Sequence, residues 1–274
     1  MKANKIRKAV RKTYAAVAKQ GSSCCGPAEP CECGIGELQT SGQAMGYSAK
    51  ELNSAPKGAN MGLGCGNPVA IASLKAGDTV VDLGSGGGFD CFLAAQRVGK
   101  KGRVIGVDMT PEMIEKAREN AMKVKYNNVE FRLGEIEHLP VADQSADVVI
   151  SNCVINLAPD KRAVLKEVYR VLKRGGRIAV SDLALVKKLP PKLRNSIEAY
   201  TSCIGGAILL DDYKRAVKAA GFKNIKIAVN DKAGKIVKAA AADYKGFSQA
   251  DRKKLTMIRF LAEHVVSAYI QAVK

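Results

Sequence analysis

Tryptophan is absent from the 274 residues, and aromatic residues make up only 5 % of them. Platforms on which bases of a single strand could stack are therefore poorly supplied. Histidine occurs twice, as His138 and His264, neither with a partner that the sequence identifies. A Cys–His protease or a histidine-ligated zinc hydrolase has no residue set to rest on. No stretch approaches the roughly 18 apolar residues needed to span a bilayer. The basic N-terminus lacks the apolar core of a signal peptide. These absences lead to the expectation of a cytoplasmic chain with no membrane partner. Acidic residues are scarce as well, 26 against 44 Lys and Arg, for a net charge of +18. The basic residues are spread along the chain, which favours a solvated basic exterior over a nucleic-acid surface.

Cysteine, by contrast, is plentiful: eight residues. In a reducing compartment a static disulfide framework is disfavoured, and metal or redox chemistry is the better reading. Four of the eight, Cys24, Cys25, Cys31 and Cys33, fall in the loop-like stretch from Gly21 to Gly36. Their spacing does not match paired C-x-x-C zinc ligands. It suits thiol–disulfide exchange or capture of a soft ion, with idle exposed thiols the alternative, above all at Cys31 and Cys33. Cys65 sits among Gly62, Gly64 and Gly66, where little covers a side chain. That favours a thiol presented to a ligand over a buried small hydrophobe. Cys203 precedes Gly205-Gly206, and Cys91 is read as packing.

The chain is organised around Thr79-Val80-Val81-Asp82-Leu83-Gly84-Ser85-Gly86-Gly87-Gly88-Phe89-Asp90. An apolar strand runs into a glycine turn and a helix follows, leaving free N–H groups at a positive dipole end. Arg103–Asp108 is a second strand, and its Asp108 lies about twenty residues past the glycines, where a nucleotide-binding βαβ unit keeps an acid for ribose hydroxyls. Strands are also expected at 128–133, 146–151, 177–181 and 225–229. Helices are expected at 2–20, from Ser48, at 69–75, 111–123, 161–173 and 210–220. Residues 265–273 are read as a seventh strand, with helix as the rival. In open α/β sheets the ligand crevice lies beyond the C-terminal strand ends. Topology alone therefore places Cys153, just past the fourth strand, in that crevice, and Cys65 and Cys203 are expected to face it too.

The glycine pattern lacks the third glycine of the dinucleotide fingerprint and resembles the loop of Rossmann-like S-adenosylmethionine methyltransferases. Four stretches together resemble the arsenite S-adenosylmethionine methyltransferases. They are Gly62-Leu63-Gly64-Cys65-Gly66-Asn67-Pro68, Asp82 to Cys91, Gly106-Val107-Asp108-Met109-Thr110 and, most specifically, Ser151-Asn152-Cys153-Val154-Ile155-Asn156-Leu157. The resemblance covers about residues 14–222. It implies that As(III) is held by the thiolates of Cys65, Cys153 and Cys203, since a soft three-coordinate ion suits sulfur, and takes the methyl group of S-adenosylmethionine in line. It also implies reduction of the As(V) product through a disulfide from Cys24 or Cys25, with Cys65 as the partner, resolved by thioredoxin or a small thiol. The cofactor residues follow: Gly84 and Gly86 at the methionine moiety, with Ser85 between them and Asp82 as the acid the family keeps before its glycines, Asp108 at the ribose, Met109 and Ile136 on the adenine faces. Glu135 accepts from the adenine amine, Asn152 edges the methyl group and Tyr47 forms a lid.

The expected fold is thus a Rossmann-like class I methyltransferase sheet with helices on both faces. Residues 1–68 would form the N-terminal helix, cysteine-rich loop and lid. Residues 69–231 would form the core, with a substrate-binding insertion at 184–209, and 232–274 a basic C-terminal appendage. Two rivals stand beside the arsenite reading. A carbon methyltransferase acting on a quinone or lipid-like acceptor would have no use for the three cysteines. A non-enzymatic soft-metal binder would have no use for Asp108 or the glycine turn.

Overall fold

The computed structural model describes residues 2–20, 35–124, 126–230, 260–261 and 263–274. In chain order its helices are α1 (Ala3–Gln20), α2 (Ile35–Ala44), α3 (Ala49–Ser54), α4 (Pro68–Ile71), α5 (Phe89–Val98), α6 (Pro111–Val124), α7 (Lys161–Val171), α8 (Pro191–Arg194), α9 (Ile197–Thr201) and α10 (Leu210–Ala219). The strands are β1 (Thr79–Leu83), β2 (Arg103–Asp108), β3 (Val129–Leu133), β4 (Ala146–Asn152), β5 (Leu172–Leu185), β6 (Lys223–Asn230) and β7 (Val265–Val273). They form one sheet in the order β3-β2-β1-β4-β5-β7-β6. β1 to β5 pair in parallel, and β7 runs antiparallel to both of its neighbours. The order reverses between β1 and β4, which opens a crevice beyond their C-terminal ends.

The central strands are near-continuous apolar runs because helices cover both faces. Val80, Val81 and Leu83 of β1 and Val148, Val149 and Ile150 of β4 are fully buried. Local chemistry sets the helix starts. Ser48 and Glu51 form a reciprocal capping box on α3, which satisfies two otherwise orphaned donors. Asp160 accepts from the Arg162 and Ala163 amides at the start of α7. α1 buries Ile6, Val10, Val17 and Ala18. It lies across the C-terminal side of the sheet, where Lys116 of α6 donates to the Ala18 carbonyl at 3.0 Å.

Three elements differ from the sequence reading. α2 stands partly where a loop was expected. α7 stops at Val171, because Leu172 already pairs with Ala146 of β4 and Lys173 bonds Asp147 at 2.8 Å. β5 continues to Leu185, into the expected insertion, because β7 pairs along it as far as Leu185 opposite Val265. The expected seventh strand forms as β7, inserted between β5 and β6, with Ala268, Ile270 and Ala272 buried. Covering the Ile270 side chain alone contributes about 2 kcal/mol. The cysteines at 24, 25, 31 and 33, and most of the expected basic segment after residue 231, lie outside the described residues.

Candidate active site

A cavity of about 1050 Å³ opens at the switch point, floored by the glycine turn and roofed by Val10, Tyr14 and Val17 of α1. The turn is pinned by the Gly84 and Ser85 amides, which donate to the Val107 carbonyl at 2.7 and 3.0 Å. Gly86 has φ +51°, and a Cβ there would project into open space with only the Met113 sulfur near, at 4.0 Å. A side chain would both strain the backbone and fill the cradle. Asp108 closes the turn: one carboxylate oxygen accepts from the Gly86 amide at 3.0 Å, the other from the Thr110 amide at 2.9 Å.

Two further carboxylates, Asp82 and Asp90, stand buried in the cavity wall. Burial, then the charge of Asp90, pushes the Asp82 carboxyl well above its usual range. Burial raises Asp90 to about 6, against hydrogen bonds from Tyr47 and Asn152 that favour its charged form. Among the described residues no Lys, Arg or His lies within ion-pair distance of Asp82, Asp90 or Asp108. The Ser85 hydroxyl is buried without a partner. This donor set asks for a cationic ligand with hydroxyls, and S-adenosylmethionine, with its ammonium, sulfonium and ribose diol, fits it.

The raised carboxyls also set a pH dependence. Burial lifts Asp182, which lies behind the lining beside the Cys65 and Cys153 sulfurs, to about 7. A carboxyl with a higher pKa folded than unfolded keeps its proton in the fold. Its contribution to stability is therefore full below the usual carboxylate range and is lost as pH rises through about 6 for Asp90 and about 7 for Asp182. Ligand-free protein is expected to melt at lower temperature at pH 7.5 than at pH 5, by on the order of 2 kcal/mol. Asp182→Asn, which keeps acceptors for Asn156 and Leu183, should flatten that slope. Melting curves whose pH dependence is identical in the two proteins would refute the assignment to Asp182.

The cavity wall also carries sulfur. Cys65 and Cys153 are joined in a disulfide with their Cα atoms 5.9 Å apart. The Cys203 thiol donates to the Cys153 carbonyl at 2.9 Å, and the Tyr14 hydroxyl lies 4.0 Å from its sulfur. All three cysteines line the same cavity as the glycine turn. Cys153 and Cys203 have φ +56° and +63°, two of only five described non-glycine residues in the left-handed region. Such strained conformations gather at working sites. Burial, then the charge of Asp182, pushes the Cys203 thiol up to about 12, opposed by the Tyr14 hydrogen bond and the charge of Lys161. A carboxylate oxygen of Asp182 lies within 4.8 Å of the Cys65 and Cys153 sulfurs.

Met109, Ile136 and Asn152 also line the cavity. Two expected residues stand elsewhere. Tyr47 is no lid: it is 4 % exposed, behind the wall, its hydroxyl on Asp90 at 2.6 Å and its ring edge-on to Phe89. It acts on the cavity through Asp90. Glu135 faces a shallow groove outside, its carboxylate taken by Arg7 and Arg11 of α1 at 3.1 and 3.4 Å. Glu137, buried and ion-paired with Arg7 at 3.0 Å, lines the cavity instead. Cys91 is packed as expected, its thiol on Asp82 at 3.1 Å. The sequence reading missed Tyr14, Asp90, Glu137 and Asp182. Only Asp90 carried a local signal, as the acid closing the glycine motif.

A family model described as a methyltransferase domain matches residues 74–231. An arsenite methyltransferase of Halobacterium salinarum is 48 % identical over 98 % of this chain and 66 % of its own length. One from Aquipseudomonas alcaligenes is 42 % identical over 67 % of this chain and 54 % of its own. The crystal structure of an arsenic(III) S-adenosylmethionine methyltransferase from Chlamydomonas reinhardtii superposes with a TM-score of 0.60 at 30 % identity, covering 86 % of this chain and 72 % of that one. The chain belongs to the arsenic(III) S-adenosylmethionine methyltransferase family. It spans about two thirds or less of the curated arsenite methyltransferases that it matches. Like other members of that family it uses S-adenosylmethionine, the cofactor that the Asp82, Asp90 and Asp108 wall fits. No described helix is long and apolar enough to cross a membrane.

Proposed function

We propose that this chain methylates trivalent arsenic held by the thiolates of Cys65, Cys153 and Cys203. One observation carries the reading. Three cysteines from distant parts of the sequence meet on one wall of a cavity whose floor is the cofactor turn. Soft sulfur selects a soft ion, and holding it beside the donor supplies most of the catalysis through positioning. When bound, S-adenosylmethionine supplies a sulfonium-activated methyl group for the arsenic lone pair. Asp82 and Asp90 hold its ammonium, Asp108 its ribose, Met109 and Ile136 its adenine. Each thiol displaces a hydroxide of arsenous acid and its proton leaves in the water formed, so the high pKa of Cys203 needs no added base.

The methylated arsenic is formally pentavalent, and two electrons return it to the trivalent state. We assign them to a thiol pair that closes to a disulfide, Cys24 or Cys25 with Cys65, which thioredoxin or a small thiol then reduces. The Cys65–Cys153 disulfide is an oxidised form of the site, and both thiols must be free before arsenite binds. A reducing, cytoplasmic setting suits that need. Helix α1 acts as the roof, and residues 69–230 together with β7 as the core.

The test is purified, reduced protein with arsenite, S-adenosylmethionine and excess dithiol. Methylated arsenicals should accumulate. Arsenite binding with one ion per chain but no methyl product would leave a soft-ion binder. Turnover of a demethylated quinone with none of arsenite would favour the carbon methyltransferase.

A further inference from the structure

β7 meets the Cys65 loop with Ser267, Tyr269 and Gln271, alternate residues and so on one face of the strand. The Ser267 hydroxyl donates to the Cys65 carbonyl at 2.6 Å. The Tyr269 hydroxyl accepts from the Asn67 amide and reaches the Met45 carbonyl, both at 3.5 Å. Gln271 donates to the Ile71 carbonyl at 2.6 Å. The loop lies so close to the strands that a Cβ on Gly66 would stand 2.2 Å from the Ser181 hydroxyl and 2.8 Å from the Tyr269 ring. From the β4 side, Asn152 accepts from the Cys65 amide at 3.0 Å and donates to the Gly66 carbonyl at 2.8 Å.

We propose that the C-terminal strand is a rail for the acceptor thiol, with Ser267 a positioning residue of methyl transfer. The inference rests on the reading of Cys65 as an arsenic ligand. The physical case is that Cys65 is gripped on both sides of its peptide. Asn152 fixes its N–H and Ser267, 202 residues away in sequence, fixes its C=O. The neighbouring Gly62 and Gly64, at φ +67° and +124°, give the loop freedom that only such outside anchors remove. Ser267 does not itself line the cavity and meets its wall at the Cys65 carbonyl, so its effect reaches the reaction through the placement of one sulfur.

The experiment uses the reduced full chain saturated with S-adenosylmethionine. The rate of iodoacetamide alkylation is read at Cys65 and Cys203 by peptide mass spectrometry, beside arsenite kinetics. Ser267→Ala should change the Cys65 rate by about threefold or more and raise the arsenite KM about tenfold, the scale of one lost buried hydrogen bond. The Cys203 rate, the affinity for S-adenosylmethionine and most of kcat should stay. Ser267→Thr, which keeps the hydroxyl, should restore both values. Should Ser267→Ala fail to fold, Tyr269→Phe tests the same rail and should shift Cys65 in the same direction. An unchanged Cys65 rate in the folded variant overturns the rail, whatever arsenite does. A changed Cys65 rate in a protein that never methylates arsenite keeps the rail and removes the arsenic reading.

Discussion

Cys153→Ser should lower arsenite methylation by about 10²-fold or more, the scale on which a lost contact at the reacting atoms is felt, while S-adenosylmethionine binds as before. The substitution keeps the volume and removes the soft ligand. The backbone there is held independently of the side chain: the Cys153 amide donates to the Ser181 carbonyl at 2.8 Å, and its own carbonyl receives the Cys203 thiol. The strained φ of +56° is therefore kept by its neighbours. The adjoining Asn152 side chain is held by four partners, Asp90 and Tyr47 at 3.1 and 3.0 Å and the Cys65 amide and Gly66 carbonyl at 3.0 and 2.8 Å, none of which involves the Cys153 thiol, so the cofactor side has no reason to move. Calorimetry with S-adenosylmethionine and product analysis with arsenite check the two halves. A variant that methylates at the rate of the parent would remove Cys153 from the arsenic site. A variant that loses cofactor affinity as well would show that the thiol supports the turn rather than the substrate.

The glycine turn and its closing acid were legible because their signals are local. Strand, glycines, helix, strand and acid follow one another within about thirty residues, as in any βαβ unit, and the structure closes them as Gly86 against Asp108. Cys153 was legible for a related reason, since strand order alone puts the end of β4 in the crevice. What failed to show were contacts made across long separations. The apolar face of α1 was plain, but nothing in residues 2–20 says that the face covers the cavity or that Tyr14 meets Cys203. Arg7 and Arg11 reach over more than 120 residues to Glu135 and Glu137. That reach draws Glu135, the acid expected inside, out to the rim and leaves Glu137 in the cavity wall. Tyr47 was misplaced because the resemblance supplied its role, while its buried hydroxyl bonds to Asp90 and Asn152 depend on the packed fold. β7 kept helix as a rival reading because alternation over nine residues with two alanines is weak. Its place between β5 and β6 is fixed by pairing, not by propensity.

Asp108→Ala should weaken S-adenosylmethionine binding by about 10²-fold, from roughly 1.5–3 kcal/mol of charge-assisted hydrogen bonding plus a loosened turn. Asp108 does two things at once. Its carboxylate takes the amides of Gly86 and Thr110, which holds the glycine cradle open at a positive φ and aligns the start of α6. The same buried group lines the cavity, and among the described residues no cation is within ion-pair distance of it. Burial raises its pKa, and the backbone amides of Thr110 and Gly86 pull the other way. Those amides favour the charged form, so the group is kept ready to accept from a ligand's hydroxyls. Asp108→Asn separates the two roles. The amide still accepts from one backbone N–H but lacks the charge and one acceptor, so affinity should fall by less, about tenfold. Asp108 bonds the amides of its own turn and not the cysteines, so arsenite binding without the cofactor should be untouched in both variants. Equal affinities for S-adenosylmethionine in the parent and Asp108→Ala would place the ribose elsewhere. An arsenite affinity that falls in step would mean that the turn and the cysteines form one cooperative unit, in which the floor cannot loosen without moving the wall.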